Sequence, residues 1–173
     1  MRSFVIVGAA LLVVLCHAAL AQPPAHSFEA AVARLRASFE QSQQMPLDPD
    51  LYAPNLHVSH NYEAGRIVDV PVFLAGVARE LAAAKQVGAN DHAELTRFLA
   101  SGDTVVATVL NTGKLADGSP TRFYIAYFFK IADGRVVDLE TWYDRKGAEQ
   151  QAQAIANAMK SAATAPKTTP DGR

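Results

Sequence analysis

Two histidines stand three residues apart in Leu56–Tyr62, a stretch reading LHVSHNY. An imidazole ordinarily titrates near pH ~6.5, so a histidine can take and return a proton close to neutrality. The stretch has strand character, and an odd spacing puts His57 and His60 on opposite faces, so the two do not serve one site together. A second group lies near the end of the domain. Asp138, Glu140, Trp142 and Asp144 alternate onto one face of a strand, while Val137, Leu139, Thr141 and Tyr143 occupy the other. A carboxylate on such a face acts as an acid or base if desolvation raises its pKa. Each of these residues also has a plainer use. His60 can be a polar strand-end residue bonded to a neighbour, Asp144 can cap the helix that follows, and Trp142 can be an aromatic wall of the kind that packs against apolar ligands.

Other chemistry finds little support. His92 and Glu94 share a strand face two residues apart, but no tight spacing such as HxxxH joins them to His57 or His60, so no metal site is expected. No serine-hydrolase elbow, phosphate-binding loop or dinucleotide turn is present, and Gly113 and Gly118 fall in a hairpin loop.

The first residues, MRSFVIVGAALLVVLCHAALA, place one positive charge at Arg2, an apolar run at Phe4–Leu15 and a small-residue ending at Ala19-Leu20-Ala21. That order predicts a secretory signal peptide over Met1–Ala21, cut before Gln22, and an exported protein, periplasmic or secreted. The apolar run is shorter than the ~20 residues of a membrane-spanning helix, so no membrane attachment is expected after cleavage. A lipid-anchored alternative would need a small residue before Cys16, where Leu15 stands. Cys16 is the sole cysteine. The mature domain therefore has no disulfide, thiolate metal site or cysteine nucleophile, and holds together by packing alone. The net charge of −1, with no block of like charges, gives neither nucleic acid nor an anionic membrane an electrostatic footprint.

The elements that must position the candidate residues follow from periodicity. After the lead-in Gln22–His26, Ser27 suits an N-cap, and Phe28, Val32, Leu35 and Phe39 form one apolar helical stripe. The polar run Gln41–Gln44, with Pro46 and Pro49, ends that helix. A second helix begins near Pro71, turns Leu74, Val77 and Leu81 one way, and stops at Gly88-Ala89-Asn90. Strands are then predicted at His92–Ala100, Thr104–Thr112, Thr121–Ile131 and Arg135–Asp144, the last two joined by the hairpin signal Asp133-Gly134. A final helix from Lys146 carries Ala148, Ala152, Ile155 and Met159. Ser161–Arg173 has the composition of a disordered tail. Runs of helices beside runs of strands argue for an α+β domain over residues 22–160. Within it Phe123–Phe129 (FYIAYFF) is apolar on both alternating faces. One side can meet the helices; the other needs a second cover, most simply another subunit.

The order of elements, with GDTVVATVLNTGKLADG followed by FYIAYFFKIADGRVVDLETWYD, resembles the nuclear transport factor 2-like superfamily, and within it the SnoaL-like group. The resemblance spans Ser27–Met159. It implies a cone in which a curled antiparallel sheet wraps around the N-terminal helices, closed by a C-terminal helix and enclosing a deep, largely apolar pocket. The group includes ketosteroid isomerase, polyketide cyclases, scytalone dehydratase and limonene epoxide hydrolase, as well as pockets without known chemistry. Its members commonly dimerise through the outer sheet face, so a homodimer is implied.

Carried onto this chain, the resemblance puts His60 at the strand-end position of the catalytic base and Asp144 or Glu140 beside it as acid or orienting group. Trp142, Tyr127 and His57 become the implied ligand contacts, with no cofactor. Two departures stand out: the isomerase has aspartate where His60 falls, and a tyrosine on its first helix where Ser27–Gln44 has none. Two functions are thus expected from the same pocket. One is binding of a small, mostly apolar molecule without chemistry. The other is a cofactor-free isomerase, cyclase or dehydratase built on His60.

Overall fold

In a computed structural model of the chain, residues 26–157 are described, apart from residues 62, 116, 148, 151, 154 and 155. The expected signal peptide, the expected tail and Ala148, Ile155 and Met159 of the last helix lie outside the described residues.

Helix α1 runs over Phe28–Ser42 and starts where the capping argument puts it. Ser27 is extended, and its hydroxyl accepts the Ala30 N–H at 3.1 Å. Gln43, in the left-handed region at φ 56°, closes the helix by donating its N–H to the Phe39 carbonyl. Ala31, Leu35 and Phe39 are the buried stripe, with Phe28 and Val32 packed beside them. A 3₁₀ turn at Pro49–Leu51 leads into β1, Tyr52–His60. This strand begins at Tyr52 rather than Leu56 because Tyr52 is anchored twice. Its hydroxyl donates to the Pro46 carbonyl at 2.7 Å, and its backbone pairs with Val136. Pro54 lacks an N–H for the ladder, and the register slips between Tyr52 and His57. A two-residue edge strand, β2 at Arg66–Ile67, pairs with His57 and Val58. It is too short to leave a sequence pattern.

Helix α2 covers Val70–Gln86, with Asp69 accepting the Val72 N–H at 3.0 Å and Pro71 in the first turn. Four long strands follow: β3 at His92–Ser101, β4 at Thr104–Lys114, β5 at Pro120–Ala132 and β6 at Arg135–Tyr143. Asp133 and Gly134 both take positive φ, 50° and 68°, as the tight β5–β6 hairpin requires. Residues 145–147, 149–150, 152–153 and 156–157 are helical.

The sheet order is β2-β1-β6-β5-β4-β3, curled and not closed. Its neighbours are antiparallel except for β1 and β6, which run parallel. The architecture is the expected α+β, with a mixed sheet in which the first strand returns beside the last. The inner face presents Val105, Ala107, Val109, Phe129 and Leu139, all fully buried, toward α1. Phe39 is the hub, with ring centroids 5.5 Å from Tyr127, 5.9 Å from Phe129 and 6.5 Å from Phe98. Tyr124, Ala126 and Phe128 lie on the outer face and remain partly exposed.

Candidate functional site

A cavity of about 990 Å³ lies between α2 and the inner face of β5 and β6. Phe73, Val77 and Leu81 of α2 face Phe123 and Ile125 of β5 across it. Arg66, Asp69 and Glu80 bring charges to its solvent side, beside Ile67 and Val72, which are 71 % and 69 % exposed. The walls are apolar and the charged groups stay near water, the distribution expected of a pocket for a small, mostly apolar molecule.

The polar groups inside are placed by strand register. His60 of β1 is opposite Thr141 of β6, and Thr141 is opposite Tyr127 of β5. Imidazole, hydroxyl and phenol thus form one row on the inner face, with adjacent strands ~4.8 Å apart. Asn61 holds β1 in that register. In the left-handed region at φ 44°, it donates its N–H to the Thr141 carbonyl and accepts the Tyr143 N–H on its side-chain oxygen, both at 2.9 Å. Asparagine tolerates that backbone better than most side chains.

His60 Nδ1 is hydrogen-bonded to the Thr141 hydroxyl, which also lies 3.4 Å from the Ser59 carbonyl. Tyr127 is 5 % exposed, and burial pushes its phenol well above the usual tyrosine range. It therefore stays a neutral donor, and no hydrogen-bond partner reaches its hydroxyl among the described residues. Two further lining residues, Gln44 and Asn90, each bury a side-chain oxygen that has no partner among the described residues.

Of the expected site residues, His60 and Tyr127 come together in this cavity. The others do not. Glu140 pairs across the strands with Phe128, and Trp142 with Ala126, so both occupy the outer face; the Trp142 ring stands edge-on to Phe128 at 6.4 Å. His57 is on that outer face too, its Nδ1 3.0 Å from Asp138 Oδ2. Asp144 Oδ1 accepts the Lys146 N–H at 3.3 Å, the capping use at the start of the last helical segment. The reason is parity. Leu139 is fully buried in the core, so Thr141 and Tyr143 turn inward after it in steps of two, and Glu140 and Trp142 between them turn out. Thr141, Tyr143, Gln44 and Asn90 were not anticipated. For the strand residues a signal existed: of two alternating sets, the one containing Leu139 loses least by being buried. His92 and Glu94 lie on β3, at the far side of the sheet from the β1 histidines.

The family model for the SnoaL-like domain matches residues 32–139, more than half of the chain, and the chain belongs to that family. No curated protein matches it in sequence. Solved structures share the fold. A steroid delta-isomerase from Pseudomonas aeruginosa is 19% identical, with a TM-score of 0.51 over 80% of this chain and 95% of that one. An NTF2-like protein of unknown function from Cytophaga hutchinsonii is 8% identical, with a TM-score of 0.52 over 68% of this chain and 100% of its own. A candidate SnoaL-like polyketide cyclase from Jannaschia sp. CCS1 is 14% identical, with a TM-score of 0.50 over 75% of this chain and 94% of that one. The resemblance read from GDTVVATVLNTGKLADG and FYIAYFFKIADGRVVDLETWYD is therefore correct at the level of family and fold.

Proposed function

We propose that this protein is exported and binds a small, mostly apolar molecule bearing a few hydrogen-bonding groups. The observation that carries the reading is the cavity of about 990 Å³ with apolar walls, within the ~300–1,000 Å³ range of ligand pockets. His60, Thr141 and Tyr127, polar groups on the cavity wall, suit a ligand that carries a few hydrogen-bonding groups. Export rests on the signal-like order of Met1–Ala21. Among the described residues, no helix is long and apolar enough to cross a membrane.

The test is mass spectrometry of whatever is released when protein purified from its native host is denatured. A stoichiometric apolar compound, lost in a Val77→Trp variant that fills the cavity, is the expected result. Recovery of no compound, together with no uptake of an apolar fluorescent probe that Val77→Trp blocks, would remove the reading. The mature chain should begin at Gln22, which intact mass checks.

A second reading, proton transfer, is favoured by one specific observation: His60 and the neutral Tyr127 phenol flank Thr141 in a single row at the cavity wall. In this version of a cofactor-free isomerase, cyclase or dehydratase, His60 is the base and Tyr127 stabilises developing negative charge on oxygen. The isomerase and cyclase functions named for the structural neighbours make this a natural alternative. The partly exposed outer sheet face, carrying Val106, Phe128 and Trp142, supports a homodimer formed through that face.

A further inference from the structure

We infer that His57 is a positioning residue that serves the cavity from the outer face of the sheet, by tying the edge strand β2, which carries the cavity rim, to the core strand β6. The inference rests on the proposed reading of this cavity as the ligand site.

The backbone gives β2 few contacts. It is two residues long, both exposed, and its ladder to His57 and Val58 is extended by the Val68 N–H donating to the Leu56 carbonyl at 3.0 Å. Short exposed edges with few contacts are the first to open locally. Yet Arg66, Ile67 and Val68 all line the cavity. The next residue, Asp69, caps α2, whose Val72 and Phe73 line it as well. Where β2 sits therefore sets the rim.

His57 stands between the two strands to be joined, opposite Ile67 of β2 and opposite Asp138 of β6. Its Nδ1 lies 3.0 Å from Asp138 Oδ2. An ionised carboxylate only accepts, so Nδ1 donates, whether the ring is neutral or protonated. Asp138 is held in turn by its neighbour Leu139, which is fully buried. The ring also lies against Gly65, the residue before β2, where a built Cβ would overlap Cε1 and Nε2. Gly65 is not among the residues with positive φ, so the position needs the space rather than the conformational freedom of glycine. The imidazole thus fills the place of a side chain at residue 65 and is fixed there by a carboxylate on a core strand. The two side chains are 41 % and 40 % exposed, so the hold is modest and acts on the rim.

The experiment is a double-mutant cycle of His57→Ala and Gly65→Ala. It is read by native-state hydrogen exchange of the Val68 amide and by the release rate of Nile red, a neutral apolar fluorophore. His57→Ala should speed both by about two- to fivefold, the span of an exposed ion pair. Gly65→Ala should do the same, because its methyl pushes the ring off Asp138. The double variant should match either single one rather than their product, since both remove one contact. Asp138→Asn, which keeps an acceptor oxygen for Nδ1–H, should stay near the parent rates, and Asp138→Ala should not. Unchanged Val68 exchange in a folded His57→Ala, or effects that multiply in the double variant, would overturn the inference. So would faster Val68 exchange with unchanged Nile red release. If the parent protein takes up no Nile red, the ligand-site reading is what suffers, and Val68 exchange still tests the tie between β6 and β2.

Discussion

His60 and the two buried phenols carry the residue-scale expectations. If the cavity's occupant is a substrate, His60→Ala should lower kcat by ~10²-fold or more, because a positioned general base contributes at least that much. Steady-state turnover checks this, and unchanged turnover would remove His60 from the chemistry. Tyr52 and Tyr127 lead to a prediction about alkaline stability. Both phenols titrate above their ordinary value in the folded state, chiefly through burial. An unfolded phenol ionises near pH ~10. Their contribution is therefore complete below about pH 10 and is lost as pH rises from there toward the folded values, at up to about 1.4 kcal/mol per pH unit for each. Urea titrations between roughly pH 8 and 11.5 should show stability falling from pH ~10 upward, with a shallower fall in Tyr52→Phe or Tyr127→Phe. A flat profile in the parent protein would contradict the assigned burial.

At the scale of elements, α1 and the exit of α2 each dock a helix on the sheet. Phe39 is fully buried and touches rings from β3 and β5, so Phe39→Ala opens a cavity that α1 cannot collapse into. The expected loss is about 3–5 kcal/mol, read as a lower urea midpoint with an unchanged slope. The α2 exit docks on the end of β4 through a backbone bond from the Lys114 N–H, from which Asp91 Oδ2 also accepts at 3.2 Å. Lys114 N–H donates to the Gly88 carbonyl at 2.7 Å, and a Cβ on Gly113 would stand 2.2 Å from that same oxygen. Neither group is a movable side chain, so Gly113→Ala should cost about 1–3 kcal/mol. Gly76 is the contrast: it is helical, with nothing within 4 Å of a built Cβ. Gly76→Ala should stabilise by roughly 0.5–1 kcal/mol. Thermal midpoints moving in opposite directions would support both assignments, and equal shifts would refute them.

At the scale of the whole molecule, the two faces of the sheet have different fates. The inner face is buried under α1 and around the cavity. On the outer face, register lines up Leu99, Val106 and Phe128 across β3, β4 and β5, with Trp142 one step along, and Leu99 is 56 % exposed. For the proposed sheet-face homodimer, sedimentation at tens of micromolar, roughly −6 kcal/mol of association, should show a dimer. Phe128→Lys should return it to monomer without unfolding it. A parent protein that sediments only as monomer at that concentration would count against the dimer.

Much of this architecture is legible in the amino-acid order, because the determinants are local. The Ser27 cap, the stripe ending at Phe39, the Pro71 start of α2 and the Asp133-Gly134 hairpin each depend on residues within a turn or two. So does the motif pattern that carries the family resemblance. The site was legible only in part, and the division follows from where the information resides. Alternation sorts β6 into two sets, Asp138/Glu140/Trp142 and Leu139/Thr141/Tyr143, but which set turns inward is settled by α1 packing on Leu139 and its neighbours, contacts that span about a hundred positions of the chain. The pairing of β1 with β6 is equally remote in sequence, and it alone sets His60 against Thr141 and sends His57 to Asp138 on the other side. Local order made His60 available as a base; the tertiary fold chose its partners, because a strand's neighbours are set by non-local packing that no stretch of the strand itself encodes.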